Sequence, residues 1–215
     1  MINKPGGKTI DLTRKISNGD PGVQIESAKT IRKDGWNATT LNLYSHSGTH
    51  MDAPMHFAVN DKTIDQIPVD RFISNAWLID LSGIQAGGLI NIEDLGDALG
   101  LIMAGDSLLF RTGWSFKFGT KAYRDELPRI SKELAVWCGA KGINLIGVEP
   151  PSVADVNAID EVTEIHEILM KNDIIIVEGL INLDKIINNQ VTLIAMPLKV
   201  ANGDGAPARV IAIEE

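Results

Sequence analysis

The sequence contains the segment His46-Ser47-Gly48-Thr49-His50-Met51-Asp52-Ala53-Pro54-Met55-His56, which holds three of the chain's four histidines. The fourth histidine, His166, lies far downstream, and Glu178 follows it by twelve residues. Imidazole and carboxylate side chains are the usual protein ligands of zinc and related divalent cations. Because the chain has no histidine outside these four positions, their concentration here predicts a metal site.

The local geometry of this segment follows from its glycine and proline. Gly48 and Pro54 argue against a long helix, and in an extended segment His50 and Asp52 point to the same face. We therefore predict a strand ending near Ser45, a turn that Gly48 permits, and then a short extended piece. That path would bring His46, His50 and Asp52 to one point.

The spacing of two histidines four residues apart is weak evidence alone, and Asp52 and His56 make the pattern more specific. His166 needs a separate argument, because it lies on the edge of the apolar stripe that Val162, Ile165 and Leu169 would form on a helix. We expect it to point inward. The alternative is a hydrogen-bonded core histidine with no ligand role.

Glu178 ends the apolar run Ile174-Ile175-Ile176-Val177. A carboxylate at the end of a buried strand is costly unless it is paired or bound to a cation. This position predicts a second acidic ligand, and the alternative is an exposed strand end.

These donors exceed what one tetrahedral zinc ion requires, so we predict two divalent metal ions. His46 and His50 would hold one ion, and His166 and Glu178 the other. Asp52 is suited to bridge two ions about 3.5–4 Å apart. Two dications against two carboxylates leave local positive charge, which would lower the pKa of a bound water to about 7. Zinc is the expected metal, with manganese left open because the same donors suit both.

His56 lies just beyond Pro54, and we predict that it is the catalytic general acid and base. A further ligand role for His56 is the alternative. The constellation predicts a metal-dependent hydrolase that acts through a metal-activated water. Two rivals stay open: a cyclase or dehydratase using the same ions, and a non-catalytic metal-stabilised binding protein, which the single cysteine disfavours.

Composition limits the class of protein. The 215 residues are 44% hydrophobic and 22% charged, which fits one soluble domain spanning residues 1–215. A net charge of −8 without basic runs argues against nucleic acid as a partner. No apolar stretch is long enough to span a membrane, Met1 to Gly7 lacks the apolar core of a secretory signal, and the lone Cys138, expected in the core, favours the cytoplasm.

Short apolar runs alternate with helical patterns, which predicts an α/β fold with a mixed sheet. Three helices are expected, over Ile92–Leu99, from the cap Ser131 to Ala140, and over Glu161–Lys171. Eight strands are expected, over Thr9–Leu12, Thr39–Tyr44 (half exposed), Ala76–Leu81, Ser107–Arg111, Ile143–Val148, Ile174–Val177, Val191–Met196 and Val210–Ile213.

The motif H-x-G-T-H-x-D-x-P-x-H-F, complete here from His46 to Phe57, resembles that of the cyclase-like metal hydrolases, a family that includes bacterial kynurenine formamidase and isatin hydrolase. Further similarities are found in Asp11-Leu12-Thr13, residues 109–114, residues 177–180 and residues 204–209. The resemblance implies a swivelling β/β/α type of domain, zinc or manganese, hydrolysis of an amide or lactam in a small-molecule substrate, and a homodimer or homotetramer.

Two departures from the family pattern concern the expected pocket walls. Asp20-Pro21-Gly22-Val23 stands where formamidases carry an aromatic-Pro-Gly-Asp segment, and Gly147-Val148-Glu149-Pro150-Pro151-Ser152 replaces Gly-Ile-Asp-Thr-Pro-Ser. Both leave the predicted metal donors intact and put formylkynurenine in doubt as the substrate. Glu149 could reach the metals or the substrate, or belong to a simple turn after a strand.

Overall fold

The computed structural model describes residues 7–214, so the expectation that Met1 to Gly7 lacks the core of a secretory signal falls, except for Gly7, outside the described residues. The strands of the described chain are β1 Lys8–Asp11, β2 Val23–Lys29, β3 Ala38–Leu43, β4 His50–Asp52, β5 Ile73–Asp80, β6 Leu89–Ile90, β7 Ser107–Arg111, β8 Arg129–Ile130, β9 Leu145–Val148, β10 Ile175–Glu178, β11 Gln190–Pro197 and β12 Gly205–Glu214. Eight of them form a central mixed sheet, in the order β1-β12-β11-β5-β7-β9-β10-β4.

The α-helices are α1 Ile31–Asp34, α2 Lys121–Asp125, α3 Lys132–Lys141 and α4 Ile159–Lys171. Short 3₁₀ helices connect other elements, at Pro54–Phe57, Ile64–Gln66, Val69–Phe72, Ile92–Gly100, Trp114–Lys117 and Leu183–Lys185. The result is the expected α/β domain with a mixed sheet.

The neighbouring strands β5, β7, β9 and β10 are parallel, and every residue of β9 and β10 is buried. Alternate residues of β10 face opposite sides: Ile175 and Val177 join one apolar core, while Ile176 joins a second core with Ile165 of α4. Glu178 is on the same side of β10 as Ile176. The carboxyl end of this parallel strand therefore presents an acidic group on the side that α4 covers.

The short strand β4 closes the sheet into a barrel-like shape, because it pairs antiparallel with both β10 and β12. Its register places His50 opposite Glu178 and Asp52 opposite Ile176. Residues directly opposite each other in an antiparallel pair share a face. His50, Asp52 and Glu178 thus point to the same side, and Met51 between them enters the other core.

Most predicted elements are confirmed, with ends that differ by a few residues. In α3 the hydroxyl oxygen of the predicted cap, Ser131, accepts a hydrogen bond from the Leu134 N–H, and Gly142 ends the helix in the left-handed conformation. The α-helix expected over Ile92–Leu99 is wrong. That segment is a 3₁₀ helix interrupted at Gly96, whose φ of 51° and ψ of −134° are not helical.

The two-stranded ribbon of β2 and β3 lies apart from the main sheet, and β2 was missed at the sequence level. The half-exposed strand expected over Thr39–Tyr44 is instead open on both faces, with Leu41 58% exposed. Its alternating pattern therefore does not mark a face packed on the core. Trp36, in the loop between the two strands, is also exposed.

Cys138 is fully buried in the core, as expected. Burial raises the pKa of its thiol to about 12, which removes the thiolate needed by a nucleophile. None of the helices within residues 7–214 has the length and apolar character required to cross a membrane.

Candidate metal centre

The centre of the site is the contact between β4 and β10. His50 Nε2 lies 3.3 Å from Glu178 Oε2 and 3.6 Å from Asp52 Oδ1. All three side chains are nearly inaccessible to solvent. Glu178 is therefore a buried carboxylate, and the alternative of an exposed strand end is wrong.

His166 reaches the same point from α4. Its Nε2 lies 3.5 Å from Glu178 Oε1 and 3.7 Å from Asp52 Oδ2. Its Nδ1 donates a hydrogen bond to the carbonyl oxygen of Val162, at 2.6 Å, one turn earlier in the helix. The expected inward orientation of His166 is confirmed, and its surroundings are acidic.

His46 lies in the turn that joins β3 to β4, where Gly48 has a φ of 65°. The predicted glycine turn is thus confirmed. His46 Nδ1 lies 2.8 Å from Asp52 Oδ1, and Nε2 lies 3.0 Å from Asp204 Oδ2. Asp52 accordingly contacts His46, His50 and His166.

His56 belongs to the 3₁₀ helix that begins at Pro54, a residue favoured at the first helical position. Its ring stacks on that of His46 with centroids 3.9 Å apart, and its Nδ1 lies 3.6 Å from Asp204 Oδ2. The side chain is 27% exposed, more than those of the other three histidines. His56 therefore lies where the buried cluster opens to solvent.

Backbone groups hold the donors in place. His50 Nδ1 donates to the carbonyl oxygen of Gly48 at 3.1 Å, and the Val153 N–H donates to Glu178 Oε1 at 2.9 Å. Gly179 allows the strands to approach closely, because a Cβ there would lie 2.4 Å from the Gly48 oxygen. When Nδ1 donates to a carbonyl, Nε2 is left free as a ligand atom, which is the usual arrangement around a metal-binding histidine.

The protonation states of the histidines and carboxylates in the cluster depend on one another. Burial alone lowers the pKa of His46, but the hydrogen bond and negative charge of Asp52, with help from Asp204, raise it to about 9. Burial raises the pKa of Asp52, yet the His46 hydrogen bond and the nearby imidazoles lower it overall. For Glu178, hydrogen bonds from His166 and His50 outweigh burial and the charge of Asp52 and lower its pKa. The carboxylates are thus ionised and require positive charge beside them.

The donors fit a divalent cation. Asp52 Oδ2 is buried and has no hydrogen-bond partner within the described chain, although burying an unpaired oxygen is costly. Asp52 belongs to two sets of three residues whose ligand atoms lie within 4.8 Å of one another, one with His46 and His56 and the other with His50 and Glu178. In these sets His46 is grouped with His56, and His50 with Glu178, whereas the sequence predicted that His46 and His50 would hold the same ion. The assignment of ligands to individual ions stays a prediction.

Protonation of His46 should make cation affinity and stability respond oppositely to pH. In metal-stripped protein, a pKa raised from 6.5 to about 9 stabilises the fold fully below pH 6.5, and that contribution of about 3 kcal/mol is lost as pH rises to 9. A cation must displace this proton, so its apparent affinity should rise about tenfold per pH unit over the same range. Urea unfolding and competition with a chelating dye measure the two effects, and His46→Gln should make both profiles shallower, leaving the part that His50 and His166 contribute through their own raised pKa values. A flat wild-type profile would contradict the assignment.

Two residues of the site have roles that the sequence did not reveal. Asp204 contacts both His46 and His56 and leaves its side chain 43% exposed. The only sequence signal for this role was that Asp204 lies in the segment 204–209, which resembles the cyclase-like hydrolases. Glu149 does not project toward solvent as a simple turn would. It is buried, and its carboxylate accepts hydrogen bonds from Thr112, Trp114 and Ser115.

Comparison with known proteins places this geometry in a family. The Cyclase family model matches residues 10–155. A kynurenine formamidase from Bacillus cereus is 30% identical over 209 residues, which cover 94% of this chain and 95% of the relative.

Solved structures give the same picture. Isatin hydrolase A from Ralstonia solanacearum has a TM-score of 0.88 at 25% identity, covering 97% of this chain and 92% of that one. A protein called a predicted metal-dependent hydrolase, from Bacillus stearothermophilus, has a TM-score of 0.77 at 26% identity and covers 98% and 100%. With a family model over more than half of its length and a full-length relative, the chain belongs to the Cyclase family of metal-dependent hydrolases.

Proposed function

We propose that this protein hydrolyses the C–N bond of a small amide or lactam. The observation that carries the proposal is the convergence of four imidazoles and the buried carboxylate of Glu178 around the buried carboxylate of Asp52, in a chain related to amide hydrolases. An N-formyl arylamine and an isatin-like lactam are the two substrate types that the relatives' names favour.

The residues that would hold the cations are His46, His50, Asp52, His166 and Glu178. Two divalent ions, zinc in preference to manganese, match this number of nitrogen and oxygen donors. When bound, such ions polarise a carbonyl group and lower the pKa of a water molecule toward neutrality. Their positive charge also takes over the role that protonated imidazoles play beside Asp52 and Glu178.

His56 is suited to move the proton. Burial lowers its pKa, and although Asp52 opposes this, the pKa remains lowered overall. The imidazole is therefore neutral at pH 7 and can accept a proton from the attacking water, then deliver it to the departing nitrogen. Asp204, 3.6 Å from His56 Nδ1, is placed to orient the ring.

The substrate would enter beside Tyr44, whose ring centroid lies 5.5 Å from that of His46. A cleft of about 780 Å³ adjoins this tyrosine. Its wall includes Asp20 and Gly22 of the segment that departs from the formamidase pattern, and the Ser47 hydroxyl donates to the carbonyl oxygens of Pro21 and Gly22. Tyr44 supplies an aromatic surface where that segment lacks one.

Hydrolysis in ¹⁸O-labelled water tests the proposal. Formanilide and isatin are incubated with zinc- or manganese-loaded protein, and we expect one ¹⁸O atom in the product acid and a folded but inactive protein after chelation. A product that gains no water would favour the cyclase or dehydratase alternative. Unfolding on chelation, with no turnover of any amide, would favour a structural metal site.

The predictions about partners and location remain open to direct measurement. In a homodimer or homotetramer, a second copy would cover the exposed apolar side chains of Trp36 and Leu41 on the β2–β3 ribbon. Light scattering after gel filtration measures the mass of the assembly. Besides the metal and a second copy of the chain, we expect a small-molecule substrate as the ligand, and neither nucleic acid nor a membrane as a partner. A cytoplasmic location stays a prediction.

A further inference from the structure

Arg14 is fixed against the two strands that carry the site. Its backbone N–H donates to Thr49 Oγ1 at 2.8 Å, and that hydroxyl donates to the Gly179 carbonyl oxygen at 2.7 Å. Thr49 directly precedes His50, and Gly179 directly follows Glu178. The main chain at Arg14 is thus held at the edge of the metal centre.

The guanidinium group of Arg14 lies on an aromatic surface at the same edge of the sheet. Its carbon is 3.9 Å from the ring centroid of Phe118 and 5.7 Å from that of Tyr123. Nη2 donates to the Ser115 carbonyl oxygen at 3.2 Å. Ser115 and Phe118 follow the carboxyl end of β7, a strand parallel to β9 and β10, which end at the site.

Arg14 lacks a carboxylate counter-ion in the part of the chain that the structure describes. None of the ion pairs formed within residues 7–214 includes Arg14, and its Nε is buried without a hydrogen-bond partner in that part of the chain. Glu149, which holds the 112–115 segment, already accepts hydrogen bonds at both carboxylate oxygens. A partly buried cation without a counter-ion is costly, and an anionic ligand would remove that cost.

Tyr123 does not supply the missing charge. Burial raises the pKa of its hydroxyl to about 12 even though the charge of Arg14 and a hydrogen bond from its guanidinium act to lower it, so the phenol is neutral at physiological pH. Its hydroxyl donates to the Glu149 carbonyl oxygen at 3.0 Å. The guanidinium therefore has aromatic faces beneath it and donors left for an anion.

We propose that Arg14 is a specificity-determining residue that binds a carboxylate group of the substrate. A guanidinium presents its N–H groups in a planar fork that matches a carboxylate, and its fixed position beside the site would orient the amide. The preferred substrate is then a small amide that also carries a carboxylate. This inference rests on the proposed hydrolase function.

The test compares N-formylanthranilate with formanilide, which share the scissile formamide and differ by one carboxylate. In Arg14→Gln, the ratio of kcat/KM for the acid to kcat/KM for the neutral amide should fall about 10- to 100-fold, mainly through KM. Arg14→Lys should restore part of the ratio. Arg124→Gln, which removes an exposed arginine bonded to Asp125 and Asn157, should leave the ratio at the wild-type value.

A binding measurement separates this inference from the hydrolase proposal. Anthranilate, followed by its own fluorescence, should bind wild-type protein about 10- to 100-fold more tightly than Arg14→Gln, while aniline should not discriminate. If the protein turns over the amides but Arg14→Gln changes neither the selectivity ratio nor the affinity for anthranilate, the role of Arg14 is overturned. The hydrolase proposal would then stand. Arg14-dependent anthranilate binding without turnover of either formamide or of isatin would support the anion site and overturn the hydrolase proposal.

Discussion

The Asp52→Asn variant should lose its divalent cations and at least about 10³-fold of its turnover. Asp52 is the carboxylate that contacts three of the four imidazoles, with distances of 2.8, 3.6 and 3.7 Å to His46, His50 and His166. An asparagine keeps the shape but replaces one oxygen with a donor group and removes the charge that two cations would share. Elemental analysis and the formanilide assay measure the two losses.

Asp184→Asn is the matched control, since it makes the same chemical change at an exposed position in a 3₁₀ turn. Circular dichroism should show that both variants fold, because the apolar cores on either side of Asp52 are untouched. An Asp52→Asn protein that retained full cation content and a tenth of wild-type turnover would remove Asp52 from the centre of the site.

The local part of the site could be predicted from sequence because it depends on short-range geometry. Gly48 permits the turn, and the alternation of side chains along an extended segment puts His50 and Asp52 on one face. His166 was placed inward by helical periodicity. None of these steps requires knowledge of the sheet.

The long-range part could not be derived in the same way. The pairing of His50 with Glu178 depends on β4 entering the sheet between β10 and β12, and a three-residue strand carries almost no pattern of its own. Periodicity also failed where the chain lacks a core partner, as in the exposed ribbon around Leu41. A regular hydrophobic pattern reports burial only when another layer covers it.

Polar residues in loops were the hardest to assign. Asp204 reads as a turn residue because aspartate is common in turns, yet the adjoining β12 carries it to His46 and His56. Glu149 could be read as a ligand or as a turn residue, and its hydrogen bonds to the 112–115 segment became visible only with the ends of β7 and β9 side by side. Their roles depend on which strand ends are neighbours.

The His56→Asn variant should keep its cations and lose about 10²–10⁴-fold in kcat. His56 is the most exposed of the four histidines and is placed where the cluster meets solvent, which suits a group that exchanges protons. Because its pKa is lowered, the acidic limb of the wild-type pH profile should fall below the ordinary histidine value, and the variant should lack that limb. Kinetics from pH 5 to 9 with elemental analysis measure these effects.

Met55→Leu controls for disturbance of the 3₁₀ helix, since Met55 is 44% exposed and adjoins His56 without carrying a titratable group. The competing role for His56 is that of a cation ligand, which its grouping with His46 and Asp52 allows. The two roles separate on cation content. A general acid and base leaves the cations in place when it is removed, whereas a ligand takes one cation with it and lowers activity at every pH.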